Sequence, residues 1–167
     1  WIAAHAQVPA LSCIERRESN VAPLCDEEAY YQEGTALLER FQLRRAIDAF
    51  DQALGLNPAH AAAYLKRAEA RRRLGLAALA IDDYRAGLAS MPATVEALEG
   101  LGLTYQSVSS YTAAIEAFDQ AVALSPATAR TYRLRGWAYL GRARFDSQAV
   151  GAAYSDLRRA LEDFGRA

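Results

Sequence analysis

Residues 30–58 read YYQEGTALLERFQLRRAIDAFDQALGLNP, and residues 98–126 repeat the same layout as LEGLGLTYQSVSSYTAAIEAFDQAVALSP. In both stretches a small residue is followed by an alanine, then by an aromatic residue and finally by a proline. Three such prolines, Pro58, Pro92 and Pro126, recur at one constant interval. A unit this short cannot bury a core of its own, so the period predicts helical hairpins that stack side by side.

The period divides most of the chain into the units 27–60, 61–94 and 95–128. Small residues at matching places let two helices approach, the aromatic ring is expected to fill the groove where the next hairpin packs, and the proline ends the second helix because it lacks an N–H. The residues at these places are Gly34, Ala46, Phe50 and Ala53; Ala68, Ala80, Tyr84 and Gly87; and Gly102, Ala114, Phe118 and Ala121.

This pattern resembles the tetratricopeptide repeat (TPR) family from about residue 27 to residue 167. The resemblance implies an all-α fold, a right-handed α-solenoid of about four antiparallel helix hairpins. The fourth unit, 129–167, starts in register with Gly136, but its alanine comes five places late, at Ala153, followed by Leu157 and Ala160. We therefore predict a lengthened turn at 141–151, either a tolerated insertion or a loop that contacts a partner. Residues 1–26 lie outside the repeat and are predicted to form an irregular extension.

The composition argues against several classes of protein. The chain has 167 residues, of which 19 are basic and 20 acidic, and its net charge is −1. No overall field therefore attracts nucleic acid or an anionic membrane. No run of 18 apolar residues is present, so we expect no transmembrane segment. Lys66 is the only lysine, and the bias toward arginine and alanine suggests a bacterial source.

Both cysteines, Cys13 and Cys25, lie in the extension and bracket the segment CIERRESNVAPLC. Two cysteines placed this way favour one disulfide in an oxidising compartment, and hence an exported, periplasmic protein. The residues Ala4-His5-Ala6 also match the small-residue pattern of a signal cleavage site. The alternative is a pair of free thiols in a cytoplasmic protein.

The sequence contains no recognisable catalytic or metal-binding motif. Its two histidines, His5 and His60, are far apart, and neither C-x-x-C nor H-E-x-x-H occurs. The piece Gly100-Leu101-Gly102 falls inside a predicted helix, where close packing explains it better than phosphate binding. We therefore expect no enzyme activity, no cofactor and no metal.

The resemblance also implies a concave groove lined by the first helix of each hairpin. By their places, the residues that would form its binding surface are Tyr31, Thr35, Leu38, Lys66, Glu69, Arg72, Arg73, Glu99, Leu103, Arg130, Arg133 and Trp137. Basic and acidic residues balance over the whole groove, so charge alone selects no ligand type. At the places of the family's carboxylate clamp only Lys66 is basic and none is asparagine. We therefore expect no binding of chaperone C-termini.

Several helix positions carry specific expectations. The run Arg71, Arg72 and Arg73 advances around a helix and is expected on a solvated face, although Arg71 stands where the family usually has an apolar residue or tyrosine. The carboxylates of Asp82 and Asp83 are expected in solvent as well.

On the last two helices, apolar residues suggest either packing or an exposed patch. Leu157, Leu161 and Phe164 are expected to face inward. Trp137 either forms an apolar patch in the groove with its neighbours or packs against the terminal helix. Together these interpretations predict a scaffold or adaptor that binds another protein by capturing a peptide or helix in the groove. The alternative is an accessory subunit of a larger bacterial complex, membrane-associated or not, that docks through its edges and its N-terminal arm.

Overall fold

The computed structural model describes residues 26–145 and 150–167, and all regular structure in these ranges is helical. The helices are α1 (Glu27–Glu39), α2 (Leu43–Leu56), α3 (Ala61–Arg73), α4 (Ala77–Ser90), α5 (Val95–Ser107), α6 (Tyr111–Leu124), α7 (Ala129–Phe145) and α8 (Val150–Arg166). They pair as four hairpins, and each hairpin packs against the next along the chain. The predicted all-α solenoid of about four hairpins is therefore confirmed. The predicted irregular extension and its cysteines, Cys13 and Cys25, lie outside the described residues.

In the first three hairpins, a capping side chain sets where the first helix begins. Asp26 Oδ1 accepts a hydrogen bond from the backbone N–H of Ala29 at 2.8 Å, and Thr94 Oγ1 accepts one from Ala97 at 3.2 Å. At α3 the cap is His60, whose Nδ1 faces the N–H of the residue three places on at 3.3 Å. Each cap satisfies a donor that the helix itself leaves unpaired.

Two places after each of these three helices ends, one residue has a left-handed backbone conformation. Phe41, Gly75 and Ser109 have φ of 58°, 81° and 59°. The following N–H bonds to a carbonyl near the end of the helix, as Gln42 does to Leu37 at 2.9 Å, which pairs the last carbonyls. The left-handed conformation costs an L side chain about 1–2 kcal/mol, a cost that glycine avoids. Phe41 and Ser109 are therefore the strained members of the set.

The small and aromatic places meet inside one hairpin, whereas the sequence pattern predicts the ring in the groove of the next hairpin. An added Cβ at Gly34 would lie 2.6 Å from the ring of Phe50, and one at Gly102 would lie 2.6 Å from the ring of Phe118. Both rings are completely buried. The hairpins close this tightly only because the position facing the ring has no side chain.

The fourth hairpin differs from its predicted register. An added Cβ at Gly136 would meet the ring of Phe164 at 2.8 Å, and Ala160, one turn before that ring, is fully buried. Phe164 and Ala160 therefore occupy the aromatic and alanine places that the sequence pattern assigns to Leu157 and Ala153. The chain from glycine to ring is longer here than in the first and third hairpins by about three turns of helix. The insertion is thus larger than the five places that the pattern predicts.

The insertion lengthens the two helices instead of forming a long turn. α7 and α8 each have 17 residues, whereas α1, α3 and α5 have 13. Residues 141–145 and 150–151, predicted to lie in a lengthened turn, are helical, because a continued helix keeps its backbone groups paired. Arg142 of α7 donates to both oxygens of the buried Asp156 of α8, at 2.9 and 2.7 Å, and joins the two extensions.

A buried ion-pair cluster joins the first two hairpins. Asp83 is only 3% exposed, and it accepts two hydrogen bonds from Arg67, at 2.9 and 2.7 Å, and one from Arg71 at 2.7 Å. Arg67 also pairs with Asp51 of the preceding hairpin. The expectation that Asp83 and Arg71 lie on solvated faces is therefore wrong, because this face of the hairpin packs against a neighbour. Asp82 is exposed, as expected.

The inward face of α8 also differs from the prediction. Leu161 is 72% exposed and Leu157 43%, whereas Ala160 and Asp163 are buried and Phe164 packs in the hairpin. Of the three residues expected to face inward, only Phe164 does so. With Phe164 at the aromatic place, Leu157 and Leu161 correspond to Leu43 and Ile47 of the first hairpin, which pack in the core beside the next hairpin.

Candidate functional site

A charged cavity of about 540 Å³ lies between α3 and α5 and reaches α7. We call it the charged pocket. It brings together seven of the predicted groove residues, which are Lys66, Glu69, Arg72, Arg73, Glu99, Leu103 and Arg130. These side chains come from three different hairpins, so stacking of the units, and not any single hairpin, builds the pocket.

Glu69 is the centre of the hydrogen-bond network on one wall of the charged pocket. Arg72 donates to both of its oxygens, at 2.9 and 2.8 Å, Arg73 donates at 2.6 Å, and the Tyr84 hydroxyl donates at 3.0 Å. Burial alone would raise the pKa of Glu69, but the hydrogen bonds from Arg72 and Arg73 outweigh it, and the pKa lies below its usual value. Burial, followed by the charge of Glu69, raises the pKa of Tyr84.

The opposite wall holds a second buried carboxylate. Glu99 accepts a hydrogen bond from the hydroxyl of Thr131 at 2.6 Å and pairs with Arg130 at 3.3 Å. Lys66, in contrast, is exposed and forms no ion pair within residues 26–145 and 150–167. The pocket lining carries four cationic side chains against the carboxylates of Glu69, Glu96 and Glu99, which gives it a small positive surplus. Lys66 is thus a cation available to a ligand.

A second cavity, of about 850 Å³, lies between the end of α5, the start of α6, the second half of α7 and α8. We call it the apolar pocket. Trp137 lines it, is 57% exposed, and meets the ring of Phe164 edge-on, with centroids 5.4 Å apart. Trp137 therefore both contacts the terminal helix and presents an apolar surface, so the two predicted alternatives hold together. Leu103 lines both pockets, so they are neighbours.

Four predicted groove residues line neither pocket. Leu38 is buried in the core of the first hairpins, so it is not part of an accessible surface. Tyr31 packs against the rings of Phe50 and His60, and the Thr35 hydroxyl bonds to the carbonyl of Tyr31. The fourth, Arg133, is exposed on α7.

The two remaining arginines of the run on α3 lie at the solvent-open wall of the charged pocket. Arg73 is exposed, as expected of a solvated face, whereas Arg72 is half-buried. Both guanidinium groups pair with Glu69 of the same helix, at 2.8 and 2.6 Å, a contact that the sequence analysis did not predict.

Sequence reasoning missed several residues of the two pockets. Tyr84 belongs to a second helix, where the pattern places it in the core, but its hydroxyl reaches Glu69 in the charged pocket. The sequence does distinguish this residue, because the second unit has a tyrosine at the place where the first and third units have Phe50 and Phe118. A tyrosine hydroxyl at a core position needs a hydrogen-bond partner. Phe145 lies in the segment 141–151 that the sequence analysis gives as a possible partner contact, and it is exposed. Tyr111 carries no such signal, because the two rings meet only through the lengthened α7.

The two glycines of the Gly-x-Gly piece serve packing, as the sequence predicts. An added Cβ at Gly100 would collide with the hydroxyl end of Tyr84, and one at Gly102 with Phe118. In the described part of the chain no three histidine, cysteine, aspartate or glutamate side chains are grouped to hold a metal ion. Within the same ranges no helix is both long and apolar enough to cross a membrane.

Comparison with solved structures finds similar helical arrays. MamA, residues 41 to the end, from Desulfovibrio magneticus RS-1 is 28% identical, with a TM-score of 0.74 over 92% of this chain and 78% of that chain. A second MamA crystal structure is 23% identical, with a TM-score of 0.74 over 92% and 87%. YrrB, described as a TPR protein with an unusual peptide-binding site, is 19% identical, with a TM-score of 0.64 over 84% of each chain. The comparison with curated proteins finds no match.

The family comparison agrees with the structure. The model of the tetratricopeptide repeat matches residues 31–94 and again residues 99–166, each match spanning two hairpins. These matches cover most of the chain, and the observed hairpins and their solenoid stacking are those that the resemblance implied. The chain belongs to the tetratricopeptide repeat family.

Proposed function

We propose that this protein is an interaction scaffold that binds a segment of a partner protein along its concave groove. The observation that carries the proposal is the charged pocket, where three hairpins together present Lys66 beside two ordered carboxylate networks. Exposed, ordered polar groups of this kind position a ligand at little entropic cost. TPR relatives support the proposal, since YrrB is described as having a peptide-binding site.

The arrangement favours binding over catalysis. The carboxylates of Glu69 and Glu99 are both held by arginine, and Glu69 also accepts a hydrogen bond from Tyr84. Carboxylates whose oxygens are already bonded in this way are poor general bases, and the pKa of Glu69 is lowered as well. The same bonds fix the shape of the surface that a partner would meet.

The proposal is tested by placing a photoreactive amino acid in the groove. Substituted at Lys66, it should crosslink a partner from extracts of the source cells, and substituted at the exposed Arg44 of α2 it should not. The crosslink at Lys66 should also be lost when Arg130→Glu changes the charge of the pocket. Equal crosslinking at Lys66 and Arg44 would contradict groove binding.

A second candidate function is that of an accessory subunit that docks through the edge of the solenoid. The exposed Tyr154, Leu157 and Leu161 of α8 support it. In the first hairpin the corresponding Leu43 and Ile47 pack in the core against the next unit, so the same face of α8 is a ready contact surface. A partner that is lost with Leu161→Glu but retained with Arg130→Glu would favour this function over groove binding.

We also propose that the protein is exported to an oxidising compartment of a bacterium. This proposal is supported by the placement of Cys13 and Cys25, which lie outside both the repeat and the described residues. A disulfide between them would close a short loop ahead of the first hairpin. The state of these thiols is therefore a direct test.

A further inference from the structure

The apolar pocket has the walls of a site for a large apolar side chain. Trp137, Leu140 and Phe145 of α7 face Leu103 of α5 and Leu157 of α8 across a volume of about 850 Å³. Trp137 and Phe145 are 57% and 65% exposed, so the cavity is open to solvent. Exposed aromatic rings around a concavity are typical of the centre of a protein interface.

The insertion in the fourth hairpin builds this pocket and holds it open. Phe145 lies beyond the length of α1, α3 and α5, and its ring stacks on Tyr111 with centroids 6.0 Å apart and an interplanar angle of 13°. Gly141 lets the same tyrosine ring lie against the α7 backbone, where any Cβ would collide with it. Arg142 and Asp156 tie the extended ends of α7 and α8 together. The pocket is therefore formed before any ligand arrives, which lowers the entropic cost of binding.

The surrounding charge is positive. The α7 sequence, ARTYRLRGWAYLGRARF, contains five arginines and no acidic residue. Arg135 and Arg142 are bonded to buried aspartates of α8, but Arg133 and Arg144 are exposed and have no carboxylate within ion-pair distance in the described ranges. Arg133 lies one helical turn before Trp137 and therefore shares its helix face, and Arg144 lines the pocket itself.

We propose that the apolar pocket holds one aromatic or large aliphatic side chain of a partner segment whose neighbouring acidic residues pair with Arg133 and Arg144. This inference rests on the proposed function and names the chemistry of the segment that the groove takes. Because Leu103 borders both pockets, the same segment would extend toward the charged pocket, where Lys66 would meet a further acidic group. The surplus of arginine over carboxylate along α7 excludes a basic segment, since like charges across an interface are costly.

The test uses three synthetic fluorescein-labelled peptides and the full chain. The first has a single phenylalanine between glutamates, the second replaces that phenylalanine by alanine, and the third keeps it but replaces the glutamates by lysines. We expect the first to bind at least about tenfold more tightly than either of the others, as fluorescence anisotropy measures it. In a Trp1→Phe background, the remaining tryptophan, Trp137, should change its emission only with the first peptide.

Two substitutions and one matched control locate the site. Trp137→Ala removes an anchor contact and Arg144→Glu reverses a charge. Each should lower the affinity for the first peptide by about tenfold or more. Arg44→Glu changes the same charge on the exposed side of α2 and should leave the affinity unchanged. Circular dichroism checks that each variant keeps its helical content, which is expected because the substituted side chains are exposed.

The outcomes separate this inference from the function on which it rests. Binding that does not change with Trp137→Ala, or that does not need the phenylalanine, would overturn it. If none of the peptides binds while crosslinking at Lys66 persists, the inference fails and groove binding stands; if the crosslink is lost too, both fail. A dimer in sedimentation that Trp137→Ala converts to a monomer would assign the pocket to a second copy of the chain, and would also overturn the inference.

Discussion

Arg135 makes the same contacts in the last two hairpins that Arg67 makes in the first two. Arg135 donates to both oxygens of Asp163 in its own hairpin, at 2.8 and 2.6 Å, and to Asp119 of the preceding hairpin at 2.7 Å. The interfaces between hairpins one and two and between three and four therefore each contain an arginine network beside their apolar contacts. At the interface between hairpins two and three, Leu101 takes the place of the arginine and joins a buried apolar cluster.

Breaking one member of the Arg135 network should destabilise the fold strongly. In Arg135→Leu the nearly buried Asp163 keeps its charge without a partner, and we expect a loss of about 3–5 kcal/mol in the free energy of unfolding. The double variant Arg135→Leu/Asp163→Ala reproduces the natural pair Leu101 and Ala117 of the third hairpin, and should recover much of the loss. Urea denaturation measures both, and a double variant as unstable as the single one would contradict this account.

The glycines that face rings should not tolerate a methyl group. Gly102→Ala would place a Cβ 2.6 Å from the buried ring of Phe118, and we expect it to destabilise by about 1–3 kcal/mol. Gly55→Ala is the matched control, since Gly55 lies within α2 and has no atom within 4 Å of its added Cβ. This control should stabilise by about 0.5–1 kcal/mol through helix propensity alone. Thermal and urea unfolding check the opposite signs.

The left-handed backbone at Phe41 should be relieved by glycine, the residue that Gly75 supplies at the same place in the second hairpin. Phe41→Gly and Phe41→Ala lose the same contact between the ring and the Arg73 guanidinium, so their difference isolates the backbone. We expect the glycine variant to be more stable than the alanine variant by about 1–2 kcal/mol. Equal unfolding midpoints for the two would show that the positive φ carries no strain here.

The network around Glu69 should make stability sensitive to acid. The pKa of Glu69 is lower in the folded chain than its ordinary value of 4.5, so its charge stabilises the fold above about pH 4.5, and this contribution is lost as the pH falls through the lower folded value. The difference in unfolding free energy between the wild type and Glu69→Gln should therefore be largest at neutral pH and shrink below about pH 4.5. A difference that stays constant from neutral pH to well below pH 4.5 would contradict this account.

The proposed disulfide between Cys13 and Cys25 is open to a direct count. Thiol titration of native material, denatured without a reductant, should find no free thiol. The disulfide should add roughly 3 kcal/mol of stability on the chain-entropy view, which reduction would remove. Two free thiols would instead favour the cytoplasmic alternative and remove the main support for export.

The repeat, the hairpins and the small and aromatic places could be predicted from the sequence because they depend on side-chain size at fixed spacing. Gly34 and Phe50 illustrate both the strength and the limit of the period, since it identifies their places in the unit but assigns the ring to the groove of the next hairpin instead of to the glycine of its own. The fourth hairpin could not be placed, because both Ala153 and Ala160 satisfy the pattern and only packing against Gly136 selects one. A period read from sequence gives the places within a unit but not the length of an insertion between them.

The polar part of the candidate site was harder to predict. A hydropathy pattern assigns Asp83 to solvent, because nothing local shows that arginines from α3 will surround it. The same limit applies to the apolar pocket, whose walls come from α5, α6, α7 and α8 and meet only after the hairpins stack. In contrast, Lys66 and Arg130 were found from their places, since the resemblance specifies which face of each first helix is concave.

The arginine network occurs at every second interface between hairpins, which limits how such an array can change in length. Inserting one hairpin would place either an aspartate such as Asp51 against a leucine, or Arg135 against an arginine such as Arg85, which stands where Asp51 and Asp119 stand in their hairpins. Inserting or deleting two hairpins would leave every arginine opposite its aspartate. The sequence repeats with every hairpin, but these ion pairs repeat only with every second one. The smallest segment that can be duplicated or lost without breaking them is thus a pair of hairpins.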